Sequence, residues 1–159
     1  MKYKIRYRIG ILTVIFILVT VSSWAFSASS PDTKGINWLT YETGMELAQK
    51  TEKKVFLHFF ADWCHYCKVM NKETLKKDDV TQFLNENFIS IRVDYDREKE
   101  TVKKYKFRGL PTSWLIAENG ETIVQIPGNV NKKMFMLFLE FAQTNAYNDM
   151  NIMAFMKKR

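Results

Sequence analysis

The sequence predicts an α/β sandwich built on a mixed β-sheet, and three observations carry that prediction. Strand-like apolar runs alternate with helix-patterned stretches through the middle of the chain. The run Val55-Phe56-Leu57-His58-Phe59-Phe60 is apolar but for one residue, as a strand covered on both faces requires. Farther on, Glu118-Asn119-Gly120-Glu121 separates two such runs, and Asn-Gly suits a hairpin turn with positive φ. Alternation followed by a hairpin gives a sheet with both parallel and antiparallel neighbours.

Taken in order, Ile36 to Leu39 reads as a short first strand. Tyr41 to Lys53 carries Met45, Leu47 and Ala48 among polar residues and reads as a helix capped by Thr40 or Thr43. After the Val55–Phe60 strand, Cys64-His65-Tyr66-Cys67 opens a helix to about Lys77. Asp78 or Asp79 then caps a shorter helix with Val80, Phe83 and Leu84 on one side. Phe88 to Val93 is the next strand, and Arg97 to Tyr105 the next helix. Gly109-Leu110-Pro111-Thr112 breaks the chain before the hairpin strands, Ser113–Ala117 and Thr122–Ile126. Asn131 caps a last helix with Met134, Phe135, Phe138 and Phe141 on its apolar side.

The 159 residues, 47% hydrophobic and 26% charged, suffice for one domain with a real core and are too few for two. The net charge of +7 suggests a nucleic-acid partner until it is divided. Lys2, Lys4, Arg6 and Arg8 precede an apolar run from Ile9 to Val21, with small residues from Ser22 to Ala28. Basic start, apolar centre and small-residue exit describe an export signal over residues 1–27, or an uncleaved N-terminal anchor over residues 9–26. Either places the rest of the chain outside the cytoplasm, in the periplasm. Without those four residues the balance is 20 basic to 17 acidic, too interspersed for a phosphate-binding surface, so no nucleic acid is expected. Residues 28–35 read as a polar linker, 36–143 as the folded domain and 144–159 as a Met-rich extension.

Two cysteines cannot staple a disulfide scaffold and must be read individually. A C-x-x-C after a buried strand, opening a helix, puts Cys64 where unpaired backbone N–H groups favour a thiolate. The spacing sets Cys67 one turn on, within disulfide reach. Cys64 can then attack a substrate disulfide, and Cys67 can resolve the mixed disulfide.

The segment Phe59-Phe60-Ala61-Asp62-Trp63-Cys64-His65-Tyr66-Cys67-Lys68 resembles the active-site segment of thioredoxin-fold thiol:disulfide oxidoreductases, and Gly109-Leu110-Pro111-Thr112 resembles their cis-proline loop. Within that family the likeness is greatest to the C-terminal periplasmic domain of transmembrane thiol:disulfide interchange proteins. It covers roughly Ile36 to Ala142. The resemblance implies a thioredoxin-like fold, with a central sheet flanked by helices on both faces. It implies an exposed nucleophile at Cys64, a shielded resolving thiol at Cys67, and Trp63 packed beside the disulfide. It also implies a cis Leu110–Pro111 bond that leaves the Leu110 backbone free to pair with a bound substrate strand. No bound cofactor is implied, since the electrons reside in the cysteine pair. The implied partners are protein thiol or disulfide substrates and, for a reductant, a membrane electron donor.

The sequence departs from the family at two places. Six residues ahead of the nucleophile, where many members carry a buried acid, stands His58, read either as a candidate proton acceptor or as a hydrogen-bonded core histidine. The intervening dipeptide is His65-Tyr66, so the histidine follows the first cysteine instead of preceding the second.

The same residues bear on other chemistries. Haem attachment needs a histidine after the second cysteine, where Lys68 stands. Zinc would need Cys64, Cys67, His58 and His65 together, and the strand position of His58 argues against tetrahedral closure, so no metal is expected there. Met150, Met153 and Met156 recur every three residues, and soft thioethers suit Cu(I), which makes copper handling the alternative function. A disulfide oxidase or isomerase is another alternative.

Overall fold

The computed structural model describes residues 35–159. The export segment expected over 1–27, and all but the last residue of the linker expected over 28–35, lie outside the described residues. Among the described residues no helix is long and apolar enough to cross a membrane.

The described chain runs β1 (Trp38–Leu39), α1 (Tyr41–Thr51), β2 (Lys54–Phe60), α2 (His65–Met70), α3 (Asp78–Asn87), β3 (Phe88–Asp94) and α4 (Lys99–Lys103). It continues through β4 (Thr112–Ile116), β5 (Thr122–Pro127), α5 (Lys132–Gln143) and α6 (Ile152–Lys157). The five strands form one sheet in the order β1-β3-β2-β4-β5. β1 and β2 both pair parallel to β3, whereas β4 runs antiparallel to β2 and β5. The expected thioredoxin-like architecture, a mixed sheet between helices, is the one observed.

Each face of the sheet has its own core. Phe56, Phe88, Leu115 and Ile126 pack beneath Met70, Leu75, Val80, Leu84, Phe135 and Leu139, so α2, α3 and α5 cover one face. Val55, Leu57, Phe59, Ile91, Val93 and Trp114 pack on the other face against Ala48, Met45 and Val102 of α1 and α4. The continuous apolar run is thereby explained: residues 54–59 of β2 are all buried because alternate side chains enter opposite cores.

Several boundaries differ from the sequence expectation. Thr40, not Thr43, caps α1, its side-chain oxygen accepting from the Thr43 N–H. The helix expected to run to Lys77 is regular only to Met70 and then widens into a π turn, Asn71–Leu75. That turn buries Thr74 and Leu75, and the Thr74 hydroxyl donates to the Val130 carbonyl at 2.8 Å. Asp78 and Asp79 lie inside the first turn of α3 and do not cap it; Lys77 holds the cap position without a side-chain bond. Carboxylates at those positions still face the favourable end of the helix. The helix expected from Arg97 begins only at Lys99, because Asp94 Oδ1 accepts from the N–H groups of Asp96 and Arg97 and holds residues 94–97 in a turn. In the hairpin Gly120 alone carries the positive φ, at 86°.

At Gly44 α1 passes close to the sheet. A Cβ there would lie 2.3 Å from Cγ1 of Ile91, which is fully buried. Overpacking costs about 1–3 kcal/mol, against roughly 1 kcal/mol of helix propensity regained by alanine. Gly44→Ala is expected to destabilise the fold by about 1 kcal/mol, read as a lower urea midpoint at unchanged slope; an unchanged or higher midpoint would contradict this packing.

Candidate active site

β2 ends at Phe60, and the chain turns through Ala61-Asp62-Trp63 into α2. The Cys64 N–H closes that turn on the Ala61 carbonyl at 3.1 Å, and the Tyr95 N–H ties the end of β3 to the Phe60 carbonyl at 2.8 Å. Cys64 is the N-cap of α2, and its Sγ accepts from the Cys67 N–H at 3.1 Å. The two cysteines form a disulfide with their Cα atoms 5.2 Å apart. Ala61, Cys64 and Cys67 make a small cluster of their own, against which Phe60, Tyr95 and Leu110 pack.

Exposure is distributed differently from the family expectation. In this disulfide form Cys64 and Cys67 are both buried, at 6% and 4%, because Leu110 and the aromatic rings close over the pair. The exposed groups are Trp63 at 65% and Tyr66 at 62%. The Trp63 indole N–H donates to Asp96 at 2.7 Å, and its ring meets Tyr95 edge-on at 6.5 Å. His65 is also exposed, its ring edge-on to Tyr66 at 5.5 Å. Arg97 bridges Asp62 at 3.6 Å and Asp94 at 3.5 Å, linking the cysteine loop to the turn after β3.

The antiparallel pairing of β2 with β4 brings the second motif to the same end of the sheet. Leu110 and Pro111 precede β4, their peptide bond is cis, and the Pro111 carbonyl accepts from the Gly128 N–H at 2.8 Å. The Leu110 N–H and carbonyl make no hydrogen bond among the described residues.

His58 lies within the sheet, 2% exposed, with its Nδ1 2.8 Å from the Ser113 hydroxyl and its ring near Trp38 and Phe56. Burial, aided by the positive charge of Arg92, pushes its pKa down to about 3. Arg92 is its partner across β3, and the Arg92 guanidinium stacks 3.6 Å from the centre of the Phe60 ring. Sequence reasoning missed Ser113 and Arg92 as neighbours of His58, since register alone brings residues 58, 92 and 113 together. It missed Asp96 and Tyr95 for a similar reason. The one visible signal was a charged residue, Arg92, inside an apolar strand.

In the extension Met150 and Met156 are half-buried. Phe155 is buried against the Phe141 ring at 5.4 Å, while Met153 is 63% exposed.

A model of the thioredoxin-like domain matches residues 41–143, well over half of the chain, and spans both motifs. The chain belongs to the thioredoxin-like family. It is 30% identical over 146 residues to the thiol:disulfide interchange protein DsbD of Actinobacillus pleuropneumoniae, covering 79% of this chain and 25% of that one. The crystal structure of the oxidised C-terminal domain of Neisseria meningitidis DsbD superposes with a TM-score of 0.53 at 30% identity, covering 62% of this chain and 90% of that one. A thioredoxin-fold protein from Helicobacter pylori shares the fold, with a TM-score of 0.63 at 22% identity over 68% and 84% of the two chains. This chain spans only 9–25% of the length of the first curated relatives it matches.

The burial of His58 has a consequence for stability. The folded thioredoxin-like domain keeps this ring unprotonated down to about pH 3, while the unfolded chain takes the proton near pH 6.5. Stability is therefore full above pH 6.5 and declines as the pH falls towards 3. Asp79 and Glu118 add to the loss only at lower pH. The Lys132 hydrogen bond holds the first carboxyl low; burial would raise the second, but Lys54 holds it low as well. Between pH 6.5 and 5, His58→Gln is expected to flatten the fall in unfolding free energy; equal slopes in both proteins would contradict the assignment.

Proposed function

We propose that this protein is an exported thiol:disulfide oxidoreductase acting as a reductant on protein disulfides. The observation that carries the proposal is the Cys64–Cys67 disulfide, with Cys64 Sγ at the head of α2 accepting a backbone N–H. That donor favours the Cys64 thiolate in the reduced form. The Cys64 thiolate attacks one sulfur of a client disulfide, forming a mixed disulfide and releasing the client's other sulfur as thiolate. The Cys67 thiolate then attacks Cys64 Sγ, expelling the second client sulfur and closing the protein disulfide. Two electrons pass to the client, and the protein must then be reduced again.

Supporting roles follow from placement. The unpaired Leu110 backbone beside the pair can hydrogen-bond an extended client segment, with Pro111 shaping that edge. Trp63 and Tyr66 offer exposed aromatic surface to the client, and His65 contributes a polar group beside the nucleophile. His58, with so low a basicity, serves as a core hydrogen-bonding group with Ser113. Residues 36–143 form the working domain, and 144–159 extend it.

The direction of electron flow and the location rest on the likeness to DsbD and on the basic–apolar start of the sequence. Both agree with a periplasmic protein recharged by a membrane electron donor. No bound cofactor enters the scheme.

The decisive measurement is the reduction potential of the Cys64–Cys67 pair against glutathione and dithiothreitol buffers. A value at or below about −250 mV supports the reductant, whereas one near about −120 mV makes the protein an oxidant. Cys67→Ser is expected to accumulate a mixed disulfide with client protein, visible on a non-reducing gel, and Cys64→Ser to show only the uncatalysed exchange rate. A Cys64→Ser protein that still exchanges would reverse the two roles.

A further inference from the structure

A groove of about 510 Å³ opens between the loop before β4 and the end of the edge strand β5. Its walls include Lys106, Arg108, Leu110, Gln125 and Pro127. Leu110 belongs both to this groove and to the packing around Cys64 and Cys67, so one residue connects the groove to the cysteine pair. Two of the lining residues are cations and none is an acid. Lys106 and Arg108 are both exposed, and among the described residues neither has a carboxylate within 4.0 Å. Their neighbours differ: Lys103 is satisfied by Glu100, and Lys104 lies over the Tyr41 ring.

We propose that this groove selects client segments by charge: it receives an extended stretch of a client protein carrying acidic residues next to the cysteine under attack. The inference rests on the exchange reading above and adds to it the class of client. An extended strand bonded to the Leu110 backbone would continue past β5, sending its side chains towards Lys106 and Arg108. Exposed cations with no carboxylate partner among the described residues keep their field for an incoming carboxylate. A groove of this size holds a few side chains and not a folded domain, which suits a flexible or partly unfolded client.

The test uses three peptides, each with the same internal disulfide and flanked by Glu, Gln or Lys, reacted with the reduced protein. The Glu-flanked peptide is expected to react roughly 3- to 10-fold faster than the Lys-flanked one, the range set by two exposed charge pairs. The preference should collapse at 0.5 M salt. In the double variant Lys106→Gln, Arg108→Gln the ratio should fall towards one. Dividing the variant's ratio by the wild-type ratio cancels both the peptides' intrinsic reactivity and any loss of folded protein. An unchanged ratio in the variant, with the peptides still reacting, overturns the client selection and leaves disulfide exchange standing. If neither the peptides nor a small aromatic disulfide reacts, the exchange reading fails and this inference fails with it.

Discussion

The burial of β2 between two layers of side chains sets the position of the cysteine pair. Its residues feed opposite cores in alternation, so the strand cannot slip by one position without sending Phe56 and Leu57 to the wrong faces. Pairing with β3 on one side and β4 on the other fixes it in the remaining direction. Phe60 therefore ends at a defined place, and the turn to Cys64 starts from a rigid support. The same strand positions the second motif, because β4 enters the sheet where β2 leaves it. Two segments distant in sequence thus share one end of the sheet.

Within β2 the protein has placed an uncharged hydrogen-bonded group. His58 faces Ser113 on one neighbour and Arg92 on the other, and neither helps it hold a proton. The Ser90 hydroxyl and Arg92 Nε nearby are buried without partners among the described residues. A positive group stacked on Phe60 makes a second charge at His58 costly. A proton taken up here would meet desolvation and like charge together.

The fold was legible because its signals are local and repeated. β2 reads as buried from six residues, the hairpin from Asn119-Gly120, and α5 from Asn131. Cys64 and Cys67 were legible because the helix carries them one turn apart. What stayed hidden depends on register or on side chains reaching between loops. Ser113 joins His58 only through the β2–β4 pairing, and Asp96 meets Trp63 only because Asp94 turns the chain back. The π turn was equally hidden: within it Thr74 bonds to Val130, a residue on a distant loop. Lys106 and Arg108 were hidden as well, since β5 supplies the opposite wall of their groove.

The antiparallel entry of β4 also sets an order in time. Synthesis delivers Cys64 and Cys67 long before Leu110, and the strands that bring Leu110 over them come later still. Until β4 and β5 have joined the sheet, α2 can form and β2 can pair with β3 while the two thiols stand uncovered. A newly made chain is thus most open to stray oxidants and foreign thiols before its sheet is complete. The last strands to arrive bring the Leu110 cover with them.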